Sequence, residues 1–133
     1  MKVLVDTSIW SLALRRERPA DDGRVQGLVE LIEDQRVVMI GPVRQELLSG
    51  IRNQTHFEKL REHLRAFPDL PLTAADFEKA ASFFNLCRSK GVQGSNTDFL
   101  LCAVAVNHGL DIMTADQDFE RFAEYLPIRL HQR

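Results

Sequence analysis

The sequence predicts an α/β fold, a mostly parallel sheet with helices packed on both of its faces. Two observations carry this reading. Short apolar runs of strand length alternate with longer segments of helical periodicity, the pattern of βα units. No internal repeat, low-complexity tract or linker interrupts the alternation. A chain of 133 residues and 15.2 kDa suits one domain, here residues 1–133, with its own core.

The elements follow in order. Lys2-Val3-Leu4-Val5 is a short β-branched strand that stops at Asp6-Thr7-Ser8, where two hydroxyl residues can open a helix. Helix-compatible sequence runs from Ser8 to Arg16, then Arg18 to Gly23 is a loop. Val25, Leu28, Val29 and Ile32 recur at helical spacing up to Asp34, and Val37 to Ile40 is a compact buried strand bounded by Gly41-Pro42. Proline at a helix start introduces Val43 to Ile51, with Gly50 near its end. Thr55 with Glu58 gives a capping-box signature ahead of the narrow stripe Phe57, Leu60, Leu64 and Phe67. Leu70-Pro71-Leu72 reads as a short edge strand, because proline there removes a ladder donor. Thr73 with Asp76 repeats the capping logic before Phe77, Ala80, Ala81, Phe84 and Cys87, and Gly91 and Gly94 break that helix. Ser95 to Asn107 makes the next helix, Ile112 to Thr114 a strand, Asp118 to Tyr125 a helix and Ile128 to Leu130 a last strand.

Composition narrows the function classes. A chain that is 44% hydrophobic and 27% charged has an ordinary soluble composition. No apolar stretch approaches the roughly 20 residues that cross a bilayer. With no signal-peptide h-region before the first strand, a cytoplasmic location is the expectation. Net charge is -2 and the pI about 6.1, so bulk electrostatics do not mark a nucleic-acid binder; a polyanion would need a local basic patch or metal ions. Cys87 and Cys102 sit in apolar helical patterns and read as buried free thiols, while His56, His63, His108 and His131 fit surface positions.

Chemistry gathers at four acids. Asp6 ends the first strand, Glu46 lies one turn into the helix after the second, Asp98 stands at the head of an apolar helix, and Asp116 follows the strand Ile112 to Thr114. Singly, each has a plain explanation: Asp6 can cap a helix, and Ser95-x-x-Asp98 is a capping arrangement favourable to the helix dipole. In a parallel sheet, however, the carboxyl ends of the strands line one crevice, so distant residues can converge there. Carboxylates about 4 Å apart repel by about 4 kcal/mol at an effective dielectric of about 20. Such a cluster calls for protons or cations, and all-oxygen donors suit Mg²⁺ or Mn²⁺ rather than zinc.

Val3-Leu4-Val5-Asp6-Thr7-Ser8, the Glu46 helix, Asp98 opening an Ala-rich apolar helix, and Thr114-Ala115-Asp116-Gln117-Asp118-Phe119 together resemble the PIN-domain family, and within it the VapC-type toxins of bacterial toxin–antitoxin pairs. The likeness runs from residue 1 to about residue 130, and the order and spacing of the four motifs are more specific than any one of them. It implies a three-layer α/β/α sandwich, a Mg²⁺- or Mn²⁺-dependent endoribonuclease leaving a 5′-phosphate and a 3′-hydroxyl, a homodimer, and neutralisation by a cognate antitoxin. It also implies that Asp6, Glu46, Asp98 and Asp116 are the catalytic and metal-binding acids, with Asp118 a further candidate, and that Thr7 or Ser8 and Thr114 match the family's hydroxyl positions near the substrate. Arg15, Arg16 and Arg44 near the expected mouth are candidates for holding flanking phosphates.

Rival readings fare worse on particular residues. A phosphate-accepting receiver domain wants paired acids after the first strand and a lysine after a late one, but Asp6 is followed by Thr7 and Ser8, and Lys2, Lys59, Lys79 and Lys90 stand elsewhere. A haloacid-dehalogenase-type phosphatase wants a second Asp where Ser8 stands. The surviving alternative is a catalytically silent PIN-like module whose acidic cleft docks a basic partner peptide.

Overall fold

The computed structural model describes residues 1–14 and 23–132. Its centre is β1 (Val3–Val5), flanked in parallel by β2 (Val37–Val38) and β3 (Asp111–Met113) in the order β2-β1-β3. Val3 pairs with Val37 on one side and Asp111 on the other, so the carboxyl ends of β1 and β3 lie side by side. Side chains alternate between the faces of a strand, yet Val3, Leu4 and Val5 are all fully buried. Both faces of the sheet are therefore covered, as an all-parallel sheet requires.

Helices α1 (Thr7–Leu14) and α2 (Gly23–Glu33) lie between β1 and β2 in the chain; α3 (Gly41–Leu48), α4 (Gln54–Leu64), α5 (Ala74–Ser89) and α6 (Asn96–His108) lie between β2 and β3; α7 (Asp118–Phe122) follows. The expected helix to Arg16 and the loop from Arg18 extend into residues 15–22, outside the described residues. Several boundaries differ from expectation for local reasons. Helix α3 starts at Gly41, with Ile40 in extended conformation as its N-cap and Pro42 in the first turn, and it stops at Leu48, before Gly50 at φ +85°. Helix α4 is capped by Asn53, whose side chain accepts the His56 amide at 2.9 Å, while Glu58 accepts from Gln54 at 3.0 Å. A better N-cap two residues upstream takes the place expected of Thr55.

The two expected outer strands each contract to a single parallel bridge, Met39 to Asp69 and Ile112 to Leu130. Leu70 N–H still reaches the Met39 carbonyl at 2.8 Å. Pro71 has no donor with which to continue, and Pro127 stands just before the other segment.

Helix α6 is apolar on every side, and Phe99 through Ala105 are all buried in it. Its partner is α5, and theirs is the most extensive helix–helix contact among the described residues. Cys87 of α5 and Cys102 of α6 are both fully buried free thiols within the core. An aromatic row runs through the core: Phe84 and Phe99 at 5.5 Å between ring centres, Phe99 and Phe122 at 4.9 Å, Phe122 and Phe119 at 5.2 Å. Gly94 lies against this row, where a Cβ would stand 2.6 Å from Phe122 Cζ and 3.1 Å from Phe99 Cε2.

His108 does more than occupy its expected surface position. Its Nε2 lies 3.2 Å from Oδ1 of Asp76, a carboxylate only 1% exposed that also accepts from Asn107 at 2.9 Å and from the Thr73 amide at 3.0 Å. Burial alone would raise the Asp76 pKa; the hydrogen bonds from Asn107 and Thr73 and the His108 contact outweigh it and hold the carboxyl below its ordinary value. The helix cap expected at Thr73 thus also ties the start of α5 to the end of α6.

Candidate active site

Strand geometry sets the site. Asp6 leaves β1 with its amide bonded to the Met113 carbonyl at 2.9 Å, which brings the β1–α1 turn against the β3–α7 turn. Asp6 is 7% exposed, and its Oδ2 accepts two hydroxyl hydrogen bonds of 2.8 Å, from Ser8 and from Thr114. Ser8 Oγ also accepts the Ala115 amide at 2.9 Å, and Thr114 Oγ1 accepts the Asp116 amide at 3.0 Å. Two hydroxyls therefore lock Asp6 to the loop that presents Asp116. Ser8 and Thr114, expected near the substrate, position the acids through these bonds.

The other acids are held in the same fashion. Asp116 Oδ1 accepts the Asp118 amide at 2.9 Å, so Asp118 enters through its backbone while its own exposed side chain opens α7. Asp98 Oδ2 accepts the Ser95 amide at 3.0 Å, and Ser95 Oγ accepts the Asp98 amide at 3.0 Å, a complete capping box. Thr7 donates to Glu46 Oε1 at 2.5 Å and so fixes the exposed Glu46 of α3 against the start of α1.

Asp98 registers its neighbours electrostatically. Burial raises its pKa, the Ser95 hydrogen bonds work against that, and the negative charges of Asp6 and Asp116 raise it further. Those three carboxylates thus occupy one field, and the Thr7 bond adds Glu46 at the rim. None of the ion pairs formed among the described residues involves any of the four. Each has one oxygen committed to a protein donor and a second with no donor from a described residue.

A hard divalent cation fits this donor chemistry. Among the described residues no three His, Cys, Asp or Glu side chains stand close enough to hold one ion as placed. Mg²⁺ keeps several waters and commonly takes only one or two carboxylates, so the donor set suits it without a closed protein cage.

The arginines divide. Arg15 and Arg16 lie outside the described residues. Arg44, a candidate for holding a flanking phosphate, is already engaged: its guanidinium donates to Asp69 at 3.0 Å, to the Leu64 carbonyl at 3.0 Å and to the Phe67 carbonyl. Those bonds clamp the end of α4 to α3 and pair its charge with Asp69. Ser95, whose spacing to Asp98 predicted a cap, is the residue that orients that carboxylate.

A PIN-domain family model matches residues 3–125. The chain belongs to the PIN-domain family. Among relatives of this PIN domain, VapC ribonuclease Mb1587 of Mycobacterium bovis is 31% identical over 123 residues, 91% of either chain. Ribonuclease VapC51 of Mycobacterium tuberculosis is 29% identical over 124 residues, 92% of this chain and 86% of the relative. Two solved structures share the fold: VapBC2 of Rickettsia felis bound to a promoter DNA fragment (TM-score 0.78, 19% identity, 98% of both chains) and FitAcB of Neisseria gonorrhoeae (TM-score 0.77, 20% identity, 98% and 96%). The α/β architecture expected of the family is the one observed. No helix among the described residues is long and apolar enough to cross a membrane.

Proposed function

We propose that this PIN domain is a Mg²⁺- or Mn²⁺-dependent endoribonuclease, the toxin of a toxin–antitoxin pair, with Asp6, Glu46, Asp98 and Asp116 as its catalytic and metal-binding acids. The observation that carries the reading is the half-committed state of all four carboxylates, one oxygen of each fixed and the other left without a donor from the described residues. Asp76, by contrast, commits both oxygens to the hydrogen bonds that tie α5 to α6. Names of relatives support the substrate class: the M. bovis and M. tuberculosis relatives are called ribonucleases.

Asp6, Asp98 and Asp116 would hold the ion, with Glu46 at the rim. When bound, the ion supplies Lewis acidity toward a phosphate oxygen and acidifies a water. Ser8 and Thr114 orient the Asp6 carboxylate by donating to Oδ2. Thr7 does the same at Oε1 of Glu46, which leaves Oε2 to accept a proton from the attacking water. Burial of Asp98 beside two like charges makes its ionised form costly until a cation arrives, which couples the cleft to its metal.

Partners belong to the same proposal. A Klebsiella pneumoniae structure sharing the fold at a TM-score of 0.66 is a toxin–antitoxin complex, and a cognate antitoxin is expected here. A homodimer is expected as well; Phe77, 54% exposed, and an apolar cleft of about 400 Å³ beside Pro42, Ala81 and Leu100 offer it a surface.

One observation favours the second reading, a silent module docking a basic peptide: the acids do not form a ready-made cage among the described residues. The decisive experiment sequences RNA ends after induced expression, beside the Asp6→Asn and Asp98→Asn variants, with purified protein assayed in Mg²⁺, Mn²⁺ and EDTA. Defined new ends from the wild type, absent with both variants and with EDTA, are expected. Wild-type protein that leaves RNA intact in either metal refutes the enzyme and leaves the docking module, whereas variants that both cut at the wild-type rate refute the assignment of the acids.

A further inference from the structure

Next to the segment that carries Asp98 lies a feature that the metal site does not use. Helices α5 and α6 form a hairpin, so the last turn of α5 sits against the first turn of α6; Phe84 of α5 meets Phe99, the residue after Asp98, edge to face. Between them and the loop before α6 opens a cleft of about 100 Å³, walled by Phe84 and Phe99, edged by Arg88 and Gln93, and floored at Gly94. Gly94 adjoins Ser95, the residue that orients Asp98.

The cleft has a definite chemistry. The Arg88 guanidinium lies over the Phe84 ring, 5.6 Å from its centre, and no described carboxylate pairs with it. Gln93 is exposed, and no hydrogen bond to a described residue engages its side-chain amide. A flat cation on an aromatic ring, beside a free donor–acceptor pair, is the set of groups that grips an unstacked base by its face and its edge. At about 100 Å³ the cleft falls well below the roughly 300–1,000 Å³ of a ligand pocket, which matches one planar group instead of a whole molecule. The ring row Phe84, Phe99, Phe122 and Phe119 backs it rigidly, and that row ends at the residue after Asp118, just past the loop carrying Asp116. A base seated there would hold its phosphate on the same end of the sheet as the acids.

We propose that Phe84, Arg88 and Gln93 form a nucleobase subsite that selects the nucleotide next to the scissile phosphate of a single-stranded RNA. The proposal rests on the ribonuclease reading for its placement beside a reacting bond, but binding can be measured without cleavage. Fluorescence anisotropy with labelled pentanucleotides of A, C, G and U in EDTA, using wild type, Arg88→Met and Gln93→Ala, tests it; a circular-dichroism melt checks that each variant is folded. Wild type should discriminate among the four, and each variant should bind the preferred one about 10-fold more weakly and lose most of that discrimination, in the range one stacked base contributes. RNA-end sequencing with Arg88→Met should show a relaxed base preference beside the cut. Variants that bind all four oligonucleotides as the wild type does, or that cut with unchanged preference, overturn the subsite while leaving the nuclease intact. A wild type that binds with base preference through Arg88 yet cuts nothing in Mg²⁺ or Mn²⁺ keeps the subsite and removes the nuclease.

Discussion

At the scale of single residues, Asp98 is a carboxylate placed against its own interest. Its charge is partly buried and faces Asp6 and Asp116, and only the Ser95 hydrogen bonds offset that. Asparagine keeps the acceptor for the Ser95 amide and removes the charge. Asp98→Asn is therefore expected to melt several degrees above the wild type in EDTA and to lose RNA cleavage, a melting scan and a cleavage assay being the two readouts; a lower melting temperature in EDTA would contradict the like-charge account. Gly94 makes the opposite case, where the smallest side chain is obligatory. Its φ is unremarkable, but a Cβ would meet Phe122 at 2.6 Å. Gly94→Ala should destabilise by about 1–3 kcal/mol through overpacking, measured by urea unfolding.

Among the elements, the α5–α6 hairpin depends on Asp76. The ionised carboxylate is held by Thr73, Asn107 and His108, and its pKa lies below the ordinary value. A folded-state pKa below the unfolded one contributes stability above the unfolded value, and that contribution disappears as pH falls through the lowered folded value. The wild type should thus lose stability below about pH 4, and Asp76→Asn should flatten that part of the curve. Asp76→Ala, which strands the Asn107 and Thr73 donors, should cost about 1–3 kcal/mol at neutral pH. Both follow from chemical denaturation across pH, and an unchanged acid limb in Asp76→Asn would show that the cluster does not couple to folding. Capping at Thr73 was legible because a hydroxyl three residues before an acid has one dominant local use, whereas the His108 contact joins residues 32 apart in sequence and left no local mark.

For the whole molecule, the proposed metal-binding acids would couple folding to the ion. Any ion that binds only the folded state stabilises by mass action, so the melting temperature should climb with Mg²⁺ or Mn²⁺ concentration in the wild type and stay flat in Asp6→Asn. Differential scanning fluorimetry over a metal series reads this directly; equal shifts in both proteins would place the ion elsewhere. With a net charge of -2, the chain would address a polyanion only where a bound cation and Arg88 set the local sign.

Much of this protein follows from local sequence alone. Apolar runs of strand length, helix caps and glycine breaks have short-range causes, so the alternation, the parallel α/β class and the candidate acids could all be read in chain order. Only the tertiary structure decided what each polar side chain touches. Arg44 became a clamp because α4 ends beside it; Ser8 and Thr114 became props for Asp6 because parallel register sets two turns side by side; and the outer strands shrank to bridges where proline removed a donor. Those outcomes depend on contacts between distant segments, which hydrophobic periodicity does not encode.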